Sequence, residues 1–399
     1  MLGYRGTVAA PSVGMDENRR DLAFGAGEYR RRLSDLRSRM DERGARSFLV
    51  VVPENVCYLS GYDSIGYSSF HALLVPIAGE PILLVREMEL TVAQTTTWLS
   101  ELETYGDIDD PVQTLLTVMR RRGFASEGMA VEQTGGLVSA SVISRLLAGM
   151  PGALDGSRLV EQGRRIKSYE EIARIREACR ITEAAMGAAL GGLRPGVTEN
   201  AVAAAAFGAM MSSGSDFGVI EPIVTSGWRS GVAHTTFANR ELEPGDTVLL
   251  EMSGCRRRYF GPLMRGAVIA PVDPEVRRMA EAILAALEAA LAAIRPGATS
   301  GAVDAACRSV LEEAGYEALF RKRTGYSVGV AYAPDWGEGH IVSLRRNDAT
   351  VLEPGMVFHI PPALRVPRRY GLGFSETVLV TEGGCEALTR FPRELHIVD

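Results

Sequence analysis

One histidine and three glutamates stand where this chain could do chemistry. His234, in SGVAHTTFANREL, follows an apolar run and a Gly/Ser loop, the kind of place where a rigid scaffold presents a reactive side chain. Glu251 ends the apolar run DTVLLE, Glu376 sits in GFSETVLVTE and Glu221 in VIEPIVTSG. A carboxylate buried in a strand is costly without a partner, so each implies an ion pair or a raised pKa. One alone reads as a satisfied core ion pair. Three, with a loop histidine, read as a polar cleft equipped for acid–base chemistry. Of the other histidines, His71 reads as structural and His396 as exposed. His359 lies inside the apolar strand MVFHIPP, and His340 closes the stretch GYSVGVAYAPDWGEGH.

Several chemistries are disfavoured. GYSVG has no following lysine and no G-x-G-x-x-G register, so it does not read as a phosphate loop. The five cysteines, Cys57, Cys179, Cys255, Cys307 and Cys385, show no C-x-x-C spacing and read as buried thiols, not disulfides or zinc ligands. A net charge of −6 argues against nucleic acid as a partner, and the clusters Arg30–Arg32 and Arg256–Arg258 read as solvated faces or subunit contacts. Lysine occurs only at 167 and 322, which reads as coding composition and not as function. No run approaches the roughly 18–20 apolar residues of a membrane span. The first residues lack a secretory apolar core, Met15 is an alternative start, and the expected location is cytoplasmic.

Two domains are expected to position these residues, 1–160 and 161–399. In the first, EYRRRLSDLRSRMDERG has helical periodicity ending at Gly44, and SFLVVVP reads as a buried strand. YLSGYD reads as a loop, followed by a hairpin turning at Ala78-Gly79. The second domain opens on a long amphipathic helix with a Ser168/Glu171 capping box. RPGVT at Arg194 and RPGATS at Arg295 each separate two helical segments, with proline and glycine closing one and threonine capping the next. A strand-rich stretch follows each pair. This predicts a duplicated unit of two helices and several antiparallel strands, helices on one face of a curved sheet and a ligand cleft on the other.

From about Ser168 onward the order of segments resembles the pita-bread family of prolidase, aminopeptidase P, methionine aminopeptidase and creatinase, and the part containing YLSGYD resembles the creatinase-type N-terminal domain. The resemblance implies an α/β N-terminal domain and an α+β pita-bread C-terminal domain with internal pseudo-twofold duplication. The family's peptidases hold two divalent metals with Asp, Asp, His, Glu and Glu. Those places fall here on Glu251, on Pro262 of PLMR (with Arg265 kept), on Tyr326, on Pro361, and on Ser375 or, one residue on, Glu376. Proline and serine do not replace carboxylates at a hard dinuclear site. The chain therefore resembles the metal-free branch, ectoine hydrolase and creatinase, through IEPIVTSG with AHTTF and GYS-x-G with PDWGE.

That resemblance implies a cofactor-free hydrolase of a non-peptide C–N bond in a small polar amidine, guanidine or cyclic amide. His234 would be the general acid/base, Glu251 the clamp, base or nucleophile, and Glu376 a second carboxylate. Tyr326, Trp336 and His359 would line the pocket, Arg265 would hold a substrate carboxylate or orient Glu251, and Glu338 and His340 would sit at the rim. A homodimer is implied, with Tyr62 and Tyr67 reaching the partner's site. Three alternatives stay open: a repurposed biosynthetic enzyme, a metal-dependent Xaa-Pro peptidase and a non-catalytic binding module.

Overall fold

The computed structural model describes residues 21–135, 137–217 and 220–399. The alternative start at Met15 lies outside them. Internal contacts divide the chain into two units, meeting at Val160 and Glu161.

The N-terminal unit is built on a six-stranded sheet. Ser47–Val50 runs near its centre, antiparallel to Ala72–Pro76 and parallel to Met129–Val131. All four residues of that strand are buried, as a sheet covered on both faces demands. The hairpin of Ala72–Pro76 with Ile82–Arg86 turns around Gly79, as its pattern predicts. The first three residues of the expected YLSGYD loop, Tyr58–Ser60, instead end a helix, Pro53–Ser60, with proline in its first turn and Gly61 as its left-handed C-cap. Its start is fixed from far along the chain. Glu132 accepts hydrogen bonds from the Val51 and Val52 amides at 2.7 and 2.8 Å and from Asn55 Nδ2 at 2.6 Å.

The C-terminal unit contains the duplication. Helix Tyr169–Gly191 starts on the Ser168/Glu171 capping box and pairs with Glu199–Ser212. Helix Pro274–Ala293 pairs with Ser300–Glu313. Thr198 and Thr299 cap the second helix of each pair, each hydroxyl accepting from the amide three residues on at 3.2 Å. A second repeated motif, LEPG at Leu242 and at Leu352, joins the first. Leu242 exchanges backbone hydrogen bonds with Val197 and Gly196, and Leu352 does the same with Ala298 and Gly297, at 2.8–3.0 Å. The same clasp thus ties the RPG turn to the strand entry in both halves.

Each helix pair buries its apolar stripe on its own sheet. In the first half Ile181, Met186, Val202 and Met210 pack on Leu250 and Met252. In the second, Ile283, Leu287, Val303 and Leu311 share a cluster with Phe358 and Val378. Each such side chain contributes about 1.5–3 kcal/mol when fully buried. The first sheet is dominated by Thr247–Arg256 against Tyr259–Ile269, paired along their whole length. The second centres on Val357–Ile360 between Gly325–Ser327 and Glu376–Thr381. A separate hairpin, Ala363–Val366 with Tyr370–Gly373, completes the unit. Among the described residues, no helix is long and apolar enough to cross a membrane.

Candidate active site

The C-terminal unit holds a cavity of about 780 Å³ whose wall includes His234, Glu251, Lys322, Tyr326, Trp336, Pro361 and Arg365. Glu251 and Pro361 each follow their LEPG leucine by nine residues (251 − 242 and 361 − 352), so they are equivalent positions of the two halves facing one cavity.

His234 is carried by the loop after a 3-10 turn, Gly227–Gly231, and is itself exposed with φ of 57°. A non-glycine residue in the left-handed region persists only where its surroundings impose it. The loop is pinned to the hairpin behind it. The Gly371 amide donates to Ser230 Oγ at 2.8 Å, and Ser230 also pairs with Thr247 Oγ1 at 2.8 Å. A β-carbon on Gly231 would lie 2.5 Å from the Val366 carbonyl oxygen, so only glycine allows this approach. The loop bearing His234 and the hairpin bearing Arg365 are therefore one packed piece.

Glu251 is 9% exposed. Burial raises its pKa, and the charges of Lys322, Arg365 and His234 oppose the rise. Lys322 projects from the RKR segment before Tyr326, and burial pushes its pKa down to about 8, with Glu251 opposing and Arg365 and Arg323 assisting. Burial likewise lowers the Arg365 guanidinium, with Glu251 opposing. The Arg365 Nε is buried with no hydrogen-bond partner. Sequence reasoning missed both cations. The signal that could have found Lys322 is its rarity: where arginine serves everywhere else, each of the two lysines holds a particular place.

Tyr326 anchors a neutral hydrogen-bond chain. Trp336 Nε1 donates to its hydroxyl at 2.8 Å, and the same hydroxyl lies 2.9 Å from His359 Nδ1. His359 Nε2 lies 2.8 Å from Ser375 Oγ, which accepts from the Met264 amide at 2.6 Å. Burial, then the charges of Lys322 and Arg265, holds His359 well below its ordinary pKa, so the imidazole is neutral. A neutral imidazole donates through one nitrogen and accepts through the other. The chain can be polarised in either sense, with the Tyr326 proton turned toward His359 or toward the cavity. Tyr326 and Trp336 face the cavity; His359, wholly buried, stands behind Tyr326.

Other predicted site residues lie elsewhere. Glu376 is fully buried and absent from the cavity wall; it accepts from Arg265 Nη2 at 2.8 Å, from Arg393 Nε at 2.9 Å and from the Thr389 hydroxyl. Arg265 is spent on Glu376 and on the Met264, Ser375, Phe391 and Pro392 carbonyls, and so holds neither substrate nor Glu251. Glu338 is a buried anchor, not a rim contact. It pairs with Arg164 at 2.6 Å and Lys167 at 2.8 Å, and although burial alone would raise its pKa, these two cations hold it low. His340 is exposed and off the cavity wall. Glu221 is exposed ahead of the strand Ile223–Ser226, not within it. Tyr62 is 3% exposed inside the N-terminal unit, its hydroxyl 3.3 Å from Glu89, which leaves it no surface to offer a second copy. Tyr67, also of that unit, is half-buried.

The five places that the resemblance assigns to metal ligands carry Glu251, Pro262, Tyr326, Pro361 and Ser375. Two are side chains without a donor atom, Ser375 and Tyr326 are engaged with His359, and Glu376 is held by two arginines. Among the described residues no cluster of three or more His, Cys, Asp or Glu could hold a metal ion. This donor set does not fit a dinuclear centre, which needs several charged oxygen ligands.

Comparison with known proteins places this geometry in a lineage. Residues 173–382 match the metallopeptidase family M24, and residues 32–166 match the creatinase/prolidase N-terminal domain. An uncharacterized hydrolase/peptidase of Sinorhizobium fredii is 33% identical, over 95% of this chain and 100% of its own. The ectoine hydrolase of Halomonas elongata is 29% identical, over 94% of this chain and 98% of its own. The crystal structure of dipeptidase PepE from Mycobacterium ulcerans superposes with a TM-score of 0.79 at 26% identity, covering 94% of this chain and 99% of that one. The fold is of the pita-bread class, and the chain belongs to metallopeptidase family M24, with a creatinase/prolidase N-terminal domain.

Proposed function

We propose that this protein hydrolyses a non-peptide C–N bond of a small polar molecule, an amidine, guanidine or cyclic amide, without a metal. The observation that carries the reading is the pairing of His234 and Glu251 on one cavity wall where the family's other ligand places hold proline, tyrosine, proline and serine. The full-length similarity to an ectoine hydrolase supports it.

In the proposed reaction, His234 takes a proton from water as the oxygen attacks the substrate carbon. The C–N bond then breaks, and the departing nitrogen receives that proton. Glu251 binds the N–H groups of the substrate and stabilises positive charge as it develops there. An amidinium carbon is already electrophilic, so it needs no Lewis acid to polarise it. Trp336 and Tyr326 shape the pocket floor, and Trp336 offers a face to a cationic nitrogen.

Incubation of the purified protein with ectoine, creatine and a panel of Xaa-Pro dipeptides, with product amines followed by mass spectrometry, tests the proposal. Turnover of a non-peptide substrate by chelator-treated protein is the expected result. Cleavage confined to dipeptides, and only after manganese or cobalt loading, would overturn it.

A further inference from the structure

The cavity wall carries four permanent or near-permanent cations, Arg321, Lys322, Arg323 and Arg365, against two carboxylates, Glu251 and Asp335. Rim and interior each carry an excess of one positive charge. Arg321, Arg323 and Asp335 are exposed, whereas Lys322 and Arg365 are half-buried and Glu251 is buried. Elsewhere in this unit, three buried cations are held by carboxylates. Lys167 holds Glu338 at 2.8 Å, Arg164 holds it at 2.6 Å, and Arg265 holds Glu376 at 2.8 Å. Lys322 and Arg365 differ from these three. Among the described residues neither forms a salt bridge, and the Arg365 Nε is buried without a partner. Two half-buried cations without a salt bridge on one cavity wall, one with an orphaned buried nitrogen, fit a site whose counter-ion arrives with the ligand.

We propose that Lys322 and Arg365 form an anion subsite that binds a carboxylate carried by the substrate. The inference rests on reading the cavity as a substrate site and narrows the substrate class. With Glu251 already offsetting one of the two charges, a single further negative charge balances the inner set, which suits a carboxylate over a dianionic phosphate. It also corrects the sequence-based expectation that Arg265 would hold such a group. A purely cationic amidine or guanidine would meet an excess of like charge, whereas a molecule with both a carboxylate and a C–N bond to break places each group against its complement. The packing of the His234 loop on the Arg365 hairpin through Ser230 and Gly371 fixes the spacing between the anion subsite and the proposed base.

The test is calorimetric titration of the purified protein, and of its His234→Ala form, with N-acetylglycine and with the uncharged N-acetylglycinamide, inorganic phosphate being a competitor. The acid is expected to bind at least tenfold more tightly than the amide. Lys322→Met and Arg365→Met should each reduce that preference by about tenfold, and Lys322→Arg should keep it. Phosphate should compete no better than acetate. Equal binding of acid and amide, a preference untouched in both methionine variants while Tm is preserved, or phosphate competing more strongly than any carboxylate would each overturn the assignment. The two readings fail separately. An acid preference in protein that hydrolyses no C–N substrate leaves the subsite standing and removes the proposed activity. Hydrolysis without any acid preference does the reverse.

Discussion

Tyr326 Oη lies 2.9 Å from His359 Nδ1, the two rings meeting edge to face with centroids 5.3 Å apart. The tyrosine stands where the family's peptidases place a histidine ligand, and the hydrogen bond is what it does instead. Tyr326→Phe would leave Trp336 Nε1 and His359 Nδ1 both buried and short of a partner. Each loss costs about 1–3 kcal/mol. The variant should therefore show a clearly lower urea midpoint and Tm than the parent protein. An unchanged midpoint would mean that the chain from Trp336 to Ser375 contributes nothing to stability.

His234→Ala should lower turnover by roughly 10²–10⁴-fold, the usual contribution of a positioned general acid/base. The side chain is exposed on a loop, so Tm should hold within about 0.5 kcal/mol of equivalent stability. Unchanged turnover in a folded variant would remove His234 from the mechanism.

Much of the scaffold could be read before any coordinates, because its signals are local. The Ser168 capping box, the threonine caps and the RPG turns are each set within a few residues. The residues misread are those decided by distant partners. Glu376 reads as a cleft carboxylate, but the buried one of its two arginines, Arg265, lies 111 residues away in sequence; Glu338 is claimed by Arg164, 174 residues away. Glu132 sets the start of a helix about 80 residues earlier, which is why Pro53–Ser60 was not legible. Lys322 reaches the cavity from the charged RKR segment and Arg365 from the short strand Ala363–Val366, and nothing local to either marks it as a site residue. Glu251 was legible because a lone acid closing an apolar strand constrains its own surroundings.

Exhaustive chelation should leave activity unchanged, and metal analysis of the purified protein should find no stoichiometric manganese or cobalt. The reasoning is chemical: Pro262 and Pro361 offer no donor, and Glu376 is already neutralised by Arg265 and Arg393. One equivalent of tightly bound transition metal, with activity that follows its removal and return, would contradict the proposed metal-free chemistry.

Glu376→Gln and Glu251→Gln should separate stability from catalysis. Glu376 satisfies two arginines in the core, and breaking a buried pair from one side costs about 3–5 kcal/mol. Its loss should appear as a falling Tm. Among the described residues Glu251 forms no such pair, so Glu251→Gln should cost turnover far more than stability. A catalytic defect in Glu376→Gln protein of normal Tm would return that residue to the active site.

The pH dependence of anion binding isolates Lys322. Burial lowers this amine to about 8; Glu251 and the Cys307 thiol, itself raised to about 11, oppose the shift, Arg365 and Arg323 add to it, and His359, which Lys322 helps to hold neutral, also faces it. Below about pH 8 the amine is charged and the anion subsite complete. Above it the charge is lost, so N-acetylglycine affinity should fall through pH 8–9. The folded-state pKa lies below the unfolded value of 10.5, so between about 8 and 10.5 the unfolded chain binds the extra proton. The ligand-free protein should accordingly gain stability from this group as pH rises across that window. Affinity falling while this contribution to stability rises is a signature that general alkaline unfolding cannot produce. Lys322→Arg, whose guanidinium stays charged, should abolish both slopes. Running the titration in His234→Ala protein removes the imidazole from the same cavity, so a retained slope near pH 8 belongs to Lys322. A slope that persists in Lys322→Arg would assign it to another group.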